Sequence, residues 1–364
     1  MTDEVAPPAL SEAELRASAS RTAPASEDAG RGISTVALPL PPGPNVPYTL
    51  AYLVADGDGA PHLIDTGWDS PDNLDRVERA LAGRGWQLSD LSSIVVTHLH
   101  SDHLGMAAAL RERTGAPVLL SRAEQASIDA LVGSAPTWVE RARERAGGWG
   151  VPADRIPELL EVAERAAHVT PFRADALVDD GDTLPIPGRS LRAVVTPGHT
   201  PGSLCLVDDL DGSGGPGSSD GLDGAGGSGG PGSSGSSGVV FTGDHVLPTV
   251  YSGLGLGGPS PRNALTAMLD SLSRIAQYDA LDVLPGHEYR FRGLADRCAR
   301  ITRHHLRRSE EVARARDTLA DPTVFEIASR VSWSPGWENM RGFVLQSALQ
   351  QTAMYLEHLM EEDR

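Results

Sequence analysis

Residues 97–103 read Thr97-His98-Leu99-His100-Ser101-Asp102-His103 and follow a short apolar run typical of a buried strand. The six residues 98–103 of this stretch include four side chains of metal-ligand type. At the mouth of a strand, the alternate residues His98 and His100 can point the same way, and the following turn can bring Asp102 and His103 toward a neighbouring point. Imidazole and carboxylate groups suit zinc, iron and manganese. The spacing therefore predicts a metal site at the end of a strand.

Three later motifs place a ligand-type residue beside a glycine, each after an apolar run. They are Thr196-Pro197-Gly198-His199-Thr200, Phe241-Thr242-Gly243-Asp244-His245 and Leu284-Pro285-Gly286-His287. Glycine lets the backbone turn sharply, so the side chain at the strand end can face a shared centre. We therefore expect His199, Asp244 and His287 to join the first cluster.

The surrounding sequence predicts two β-sheets between layers of helices. A helix is expected after Ser70, with Pro71 in its first turn and an end near Gly83, and further helices at 106–113 and over most of 123–167. Strand-like runs precede, alternate with and follow these helices, which favours two packed sheets. The predicted strands are 33–40, 48–54, 62–64, 94–96, 118–120, 191–195, 203–207 and 239–242.

The composition divides the chain into parts. Residues 1–31 offer few apolar groups to offset the entropy of ordering, which predicts a disordered N-terminal tail. Residues 32–290 are expected to form the main domain, and 291–364 a helical C-terminal region. Residues 211–238 are almost wholly Gly, Ser, Asp and Pro and separate two predicted strands, so they predict a flexible loop insertion within the domain. A regulatory or docking role for this loop is the alternative.

The chain is acidic, with 364 residues, a formal net charge of -18 and a pI near 5.0. We expect a soluble protein that repels nucleic acid and anionic membranes. The N-terminus lacks the features of a signal peptide, and no apolar run reaches the roughly 18 residues of a membrane span, which predicts a cytoplasmic location. Cys205 and Cys298 are far apart and favour two reduced thiols, with one disulfide left open.

From about Ile33 to Glu288, leaving aside the insertion, these motifs resemble those of the metallo-β-lactamase-fold hydrolase superfamily. The resemblance implies an α+β fold, the αββα sandwich, with two divalent metal ions at one edge of the paired sheets. Residues 32–290 are thereby expected to be the hydrolase domain. Zinc is the expected metal, with iron or manganese as alternatives. By resemblance, the first metal is held by His98, His100 and His199, the second by Asp102, His103 and His287, with Asp244 as the bridge and Asp65 as support behind the ligands.

The same resemblance bears on the reaction. Many members that hydrolyse β-lactams carry a cysteine where this chain has Asp244, so antibiotics are not the expected substrates. We expect a hydroxide shared by two metals to attack a small-molecule thioester, ester or lactone, as in hydroxyacylglutathione hydrolases and polyketide-associated thioesterases. Asp102 could steer the proton of the nucleophile. Tyr251 could donate to an oxyanion or be a plain loop residue, and His245 is expected behind the ligands or in a structural role.

The helical pattern after His287 resembles the winged-helix-like extension of one branch of the superfamily, which includes endoribonucleases. RNA cleavage is therefore the alternative function. Five arginines at helical spacing could contact the phosphates of RNA or those of a coenzyme A thioester, or they could form a solvated helix face. The acidic chain argues against nucleic acid, and a non-catalytic role is disfavoured because all seven ligand positions are filled. A small-molecule substrate is expected, and a homodimer is left open. The arginines are Arg297, Arg300, Arg303, Arg307 and Arg308.

Overall fold

Two β-sheets form the centre of the computed structural model, which describes residues 5–43, 46–134, 137–166, 171–209, 238–258 and 260–362. Within these residues the first sheet has seven strands in chain order: β1 (Asp28–Gly30), β2 (Ile33–Pro39), β3 (Tyr48–Ala55), β4 (Pro61–Ile64), β5 (Ser93–Val95), β6 (Val118–Ser121) and β7 (Ala176–Val178). Strands β1 to β4 pair antiparallel, and β4 to β7 pair parallel.

The second sheet has four strands within the described residues, in the order β11-β10-β9-β8. They are β8 (Leu191–Val195), β9 (Leu204–Asp209), β10 (Gly238–Gly243) and β11 (Asp282–Pro285). Strand β9 runs antiparallel to β8 and β10, and β10 is parallel to β11. Strands β8, β10 and β11 therefore run in one direction, and their carboxyl ends lie at the same edge of the sheet.

Helices cover the outer faces of both sheets. Ser70 caps α2 by accepting a hydrogen bond from the backbone N–H of Asn73, and the helix ends before Gly83, which confirms that predicted helix. The helices are α1 (Glu12–Ser20), α2 (Pro71–Ala82), α3 (Ser101–Leu104), α4 (Ala107–Thr114), α5 (Arg122–Ser134), α6 (Trp138–Gly148), α7 (Ile156–Ala166), α8 (Ala264–Ile275), α9 (Leu294–Asp317), α10 (Val324–Ala328) and α11 (Gly342–Glu362).

Three apolar clusters show the order of the layers. Between the sheets, Tyr52 of the first sheet meets Phe241 of the second with ring centroids 5.2 Å apart. The opposite face of the first sheet packs against α2, α4 and α5, and the opposite face of the second sheet packs against α8, α9 and α11. The order helix, sheet, sheet, helix confirms the predicted αββα sandwich.

The prediction of a disordered tail over residues 1–31 is wrong for the described residues. The segment forms α1 and β1, and β1 pairs with β2. Glu14, which has no exposed surface, accepts hydrogen bonds from the backbone N–H and the guanidinium of Arg290. A count of apolar residues misses this ordering because a buried ion pair with a distant residue contributes to it.

The boundary predicted for the insertion also changes. Gly238 is the first residue of β10 and pairs with Asp209 of β9, so it belongs to the sheet. Residues 211–237 of the predicted insertion lie outside the described residues. The flanking strands are antiparallel neighbours, the arrangement expected for a hairpin connection.

The C-terminal region is helical, which confirms that part of the prediction. Residues 292–362, all of which the structure describes, form helices and no strand, and the winged-helix likeness stays a prediction. The apolar core continues without a break from the second sheet into this region through Ile301, Val312 and Tyr355. None of the helices in the described part of the chain combines the length and apolar character that a membrane crossing requires.

Candidate metal centre

The predicted ligands lie where strands end, at one edge of the paired sheets. His98 follows β5, His199 follows β8, Asp244 follows β10 and His287 follows β11. The short helix α3 turns the chain after His100 and carries Asp102 and His103 back toward the same edge. The topology thus brings together, at one place, residues that are up to 189 positions apart in the sequence.

One half of the site consists of three histidines. Nε2 of His98 lies 2.9 Å from Nδ1 of His100, and Nε2 of His199 lies 3.1 Å from the same atom. All three rings are buried or nearly so. Their inward nitrogens therefore converge on one point, and they form one of the groups whose ligand atoms lie within 4.8 Å of one another.

The other half combines carboxylates with histidines. Nε2 of His287 lies 3.2 Å from Oδ1 of Asp244 and 3.4 Å from Oδ2 of Asp102. Nε2 of His103 lies 3.3 Å from the same Asp244 oxygen and 3.4 Å from Nε2 of His287. The second oxygen of Asp244 lies 3.7 Å from Nε2 of His199. Asp244 therefore faces both halves of the site.

These separations fit a metal ion. Ligands about 2.0–2.1 Å from a tetrahedral zinc lie about 3.3 Å from one another, close to the separations between the inward atoms. Two nitrogens of different histidines also face each other in each half, and nitrogen pairs of this kind are the donors that a cation joins. Oδ1 of Asp244 is buried and has no hydrogen-bond partner within the described residues. The donor set is nitrogen and oxygen, which suits zinc, iron or manganese.

The outward nitrogen of each histidine has a separate partner. This arrangement fixes the ring orientation and leaves the inward nitrogen free to bind a metal. The partners are Oγ1 of Thr97 for His98 (3.1 Å), the carbonyl of Leu256 for His100 (3.3 Å), Asp65 for His103 (2.7 Å), the carbonyl of Gly253 for His199 (2.8 Å) and the carbonyl of Tyr48 for His287 (2.7 Å).

Asp65 lies behind the ligands, where the sequence predicted support for them. Its carboxylate accepts the backbone N–H of Thr97 at 2.8 Å and the hydroxyl of Thr97 at 2.9 Å, and it also receives Nδ1 of His103. Its φ of 59° lies in the left-handed region, which is uncommon for a residue other than glycine. One carboxylate thus orients two ligand histidines, His103 directly and His98 through Thr97.

Glu124, at the start of α5, is a residue that the sequence did not single out. Its fully buried carboxylate accepts the backbone N–H of Leu99 at 2.8 Å, the hydroxyl of Thr200 at 2.6 Å and the backbone N–H of Gly202 at 2.6 Å. Burial raises the pKa of Glu124 to about 7. Because Leu99 lies between two ligand histidines and Thr200 follows a third, this side chain joins both ligand loops.

Gly286 shows why glycine precedes a ligand. A Cβ atom at this position would lie 2.6 Å from Oδ1 of Asp244 and 2.7 Å from Cε1 of His103. Both distances are shorter than carbon contacts in proteins normally are, so a larger residue would displace two ligands. The glycine predicted to allow a turn therefore also leaves room for the ligands themselves.

Burial keeps the three-histidine half neutral. It lowers the pKa values of His98, His100 and His199, that of His100 to about 4. At neutral pH each of these rings therefore has one unprotonated nitrogen. Unprotonated imidazole is the form that binds a metal.

The carboxylates reverse this effect in the other half. Burial alone would lower the pKa of His287, but Asp244 and Asp102 outweigh it and raise the pKa to about 10. The pKa of His103 is raised as well, because Asp244 and Asp65 outweigh burial. In turn, the histidines hold the pKa of Asp244 well below its usual range despite burial. This half therefore attracts positive charge.

Two further predicted residues lie away from the converging atoms. His245 is buried, neither ring nitrogen has a hydrogen-bond partner within the described residues, and burial lowers its pKa to about 3. The ring of Tyr251 stacks on His304 at 3.8 Å, and the guanidinium of Arg297 lies 4.7 Å from its centre. These contacts favour a loop-anchoring role for Tyr251, and its role as an oxyanion donor stays a prediction.

At least three of the five arginines that the sequence singled out on α9 are engaged within the chain. Arg297 is buried and donates to the carbonyls of Leu247 and Val250. Arg300 pairs with Asp296, and Arg308 pairs with Glu311 and also lies over a tryptophan ring. These contacts reduce the positive charge that α9 offers to a phosphate-rich ligand.

The comparisons with known proteins agree with this geometry. The model of the Metallo-beta-lactamase superfamily matches residues 44–213. A probable metallo-hydrolase of Burkholderia pseudomallei (strain 1710b) is 30% identical over 165 residues, 44% of this chain and 47% of the relative. A hydroxyacylglutathione hydrolase of Cupriavidus metallidurans is 30% identical over 179 residues, 49% of this chain and 50% of the relative. A metallo-beta-lactamase family protein from Thermus thermophilus superposes with a TM-score of 0.66 and 24% identity, over 91% of this chain and 94% of that one.

Residues 44–213, a little under half of the chain, therefore match the metallo-β-lactamase superfamily, and the chain has the metallo-β-lactamase fold. The match to that family model and the cluster of histidines and aspartates described above together indicate divalent metal ions. The matched residues include five of the predicted ligands, whereas Asp244 and His287 follow the match. The chain spans about half the length of the curated relatives it matches.

Proposed function

We propose that the chain is a dinuclear metal-dependent hydrolase of a small-molecule thioester, ester or lactone. The proposal is supported above all by the convergence of seven ligand-type side chains, five of them histidines whose outward nitrogens are already paired. In this proposal His98, His100 and His199 would hold one ion, Asp102, His103 and His287 would hold the second, and Asp244, which faces both groups, would serve both. The nitrogen and oxygen donors favour two zinc ions, although iron and manganese accept the same set.

Bound divalent ions would supply Lewis acidity and would lower the pKa of water toward about 7. The residues of the chain would then orient the histidines and the attacking water. Asp65 and the backbone carbonyls would accept hydrogen bonds from the outward N–H groups of the histidines, so that the inward nitrogens face the ions when these are bound. The side chain of Asp102 is 22% exposed, so its carboxylate borders both the ligands and the opening to solvent. From this place it can accept a hydrogen bond from the attacking water and steer its proton.

The thioester class is supported by the relative from Cupriavidus metallidurans, whose named substrate is a hydroxyacyl thioester of glutathione. Asp244 supports the same choice, since the resemblance associates cysteine at that position with β-lactam hydrolysis. The arginines of α9 that pair within the chain argue against RNA as the main substrate. A small molecule is therefore the favoured partner.

The test uses the purified full chain reconstituted with zinc. It is assayed with S-lactoylglutathione, acyl-coenzyme A thioesters, lactones, nitrocefin and single-stranded RNA. We expect turnover of a thioester, ester or lactone, a loss of at least about 100-fold in His98→Ala, and retention in His62→Gln. His62 is a suitable control because it lies near the start of β4, whereas Asp65 follows the end of that strand. Its buried ring contacts Ser93.

Two results would overturn the proposal. One is RNA cleavage that is lost in His98→Ala while no thioester, ester or lactone is turned over. The other is metal analysis that finds fewer than two equivalents per chain after reconstitution, which would exclude a dinuclear site.

A further inference from the structure

The glycine-rich segment that follows Asp244 touches the metal centre on one side and the C-terminal helix on the other. We call residues 249–258 the 249–258 loop; it lies between β10 and α8 in the sequence. The carbonyl of Gly253 accepts from Nδ1 of His199 at 2.8 Å, and the carbonyl of Leu256 faces Nε2 of His100 at 3.3 Å. Two acceptors behind the three-histidine half therefore come from this loop.

Backbone bonds also join the loop to the strand end that carries His199. The N–H of Leu256 donates to the carbonyl of His199 at 2.8 Å, and the N–H of Gly255 donates to the carbonyl of Gly198 at 2.9 Å. The position of the loop and the direction of the His199 ring are thus determined together. A shift of the loop would change the hydrogen bond of His199 and that of His100 at once.

Helix α11 contacts the opposite side of the loop. Nε2 of Gln350 donates to the carbonyl of Gly255 at 2.9 Å. Gly255 has a φ of 65°, and a Cβ atom there would lie 2.1 Å from Cε of Met354. The carbonyl of Met354 in turn accepts the side-chain amide of Asn263, the cap of α8. The loop is therefore packed closely between α11 and the metal centre.

We propose that α11 supports the metal centre through the 249–258 loop and that Gln350 is a positioning residue for the three-histidine half. Gln350 fixes the Gly255 carbonyl, and Gly255 lies within two residues of both acceptors, Gly253 and Leu256. Those acceptors set the ring orientation of His199 and His100, as hydrogen-bond partners behind metal ligands do. This inference rests on the proposed metal-binding function.

The structure makes the expected effect asymmetric. The outward nitrogens of His103 and His287 are held by Asp65 and by the carbonyl of Tyr48, neither of which belongs to the loop. Loss of the Gln350 contact should therefore weaken the three-histidine half and leave the other half unchanged. A general loss of folding would weaken both.

The experiment compares Gln350→Leu with Gln351→Leu in the metal-free chain of 364 residues. Gln351 is a matched control because its amide donates to Ser347 of the same helix at 3.1 Å and not to the loop. Zinc is titrated against a chelating competitor, and cobalt is titrated while its visible absorption is recorded. We expect Gln350→Leu to weaken one of two equivalents about tenfold and to change the absorption of that cobalt ion, while Gln351→Leu matches the wild-type chain.

A second pair keeps the inference testable if Gln350→Leu does not fold. Gln350→Glu keeps the size of the side chain but replaces the donor with an acceptor that faces the Gly255 carbonyl, and Gln351→Glu adds the same charge beside it. Wild-type binding of both equivalents by both Gln350 variants would overturn the inference, as would equal weakening of both equivalents. A wild-type chain that binds fewer than two equivalents would instead overturn the dinuclear function, and with it this inference.

Discussion

Replacing Glu124 by leucine removes a buried carboxylate that accepts hydrogen bonds from both ligand loops. Leucine leaves the backbone N–H groups of Leu99 and Gly202 without their acceptor. An unsatisfied buried donor costs about 1–3 kcal/mol, so the two together cost about 2–6 kcal/mol. The hydroxyl of Thr200 adds little to this sum, because Oγ of Ser203 is also within hydrogen-bond distance. The free energy of unfolding should fall by this amount.

The same substitution should reduce metal affinity, because Leu99 lies between two ligands and Thr200 follows a third. Loss of a partner behind a ligand typically costs 10- to 100-fold in affinity. Urea denaturation of the metal-free protein measures stability, and zinc competition measures affinity. Gln125→Leu is the control, since Gln125 is the buried neighbour of Glu124 on α5, accepts the backbone N–H of Ala174 and donates to the carbonyl of Phe172, outside both ligand loops. The reasoning is refuted if Glu124→Leu binds zinc as tightly as Gln125→Leu does.

Three further results are expected. Burial raises the pKa of Glu124 to about 7, so the folded metal-free chain binds more protons than the unfolded chain between pH 4.5 and 7. Its free energy of unfolding should therefore fall as the pH rises through that range, and Glu124→Gln should flatten this dependence in urea denaturation. Asp244→Asn removes a carboxylate that faces both halves, so metal analysis should find fewer than two equivalents. Glu14→Gln leaves the buried guanidinium of Arg290 undercompensated and should lower thermal and urea stability by about 3 kcal/mol, whereas Glu12→Gln, in an exposed pair, should cost less than about 1 kcal/mol.

The candidate metal ligands could be brought together from the sequence because their signal is local. Each is a rare, chemically distinctive residue beside a strand-like run and a turn, and this pattern does not depend on distant parts of the chain. The αββα order could be predicted for a similar reason, because runs such as 191–195 are apolar enough to identify each strand separately. Asp65 could also be predicted, although only through the resemblance.

Glu124 could not be predicted, because its sequence surroundings are those of an ordinary helix start. Its role depends on two hydrogen-bonded loops that approach it from residues 99 and 200–202. A buried carboxylate must find hydrogen-bond partners, but only the fold shows that Glu124 is buried. Glu14 in α1 was missed for the same reason, since its partner Arg290 is 276 positions away.

The difference between these residues reflects two separate requirements of a metal site. Ligand identity requires a nitrogen or oxygen atom near a strand end, and short motifs carry that information. Ligand orientation requires a partner for the outward nitrogen. Here those partners come from β3, from the residue after β4, from Thr97 and from the 249–258 loop, which α11 supports in turn. Relatives that share only the motifs can therefore share the metal chemistry while they differ in affinity and in the elements that support it. Comparing Gln350 and Glu124 variants by zinc titration would measure how much of the affinity comes from orientation rather than from ligand identity.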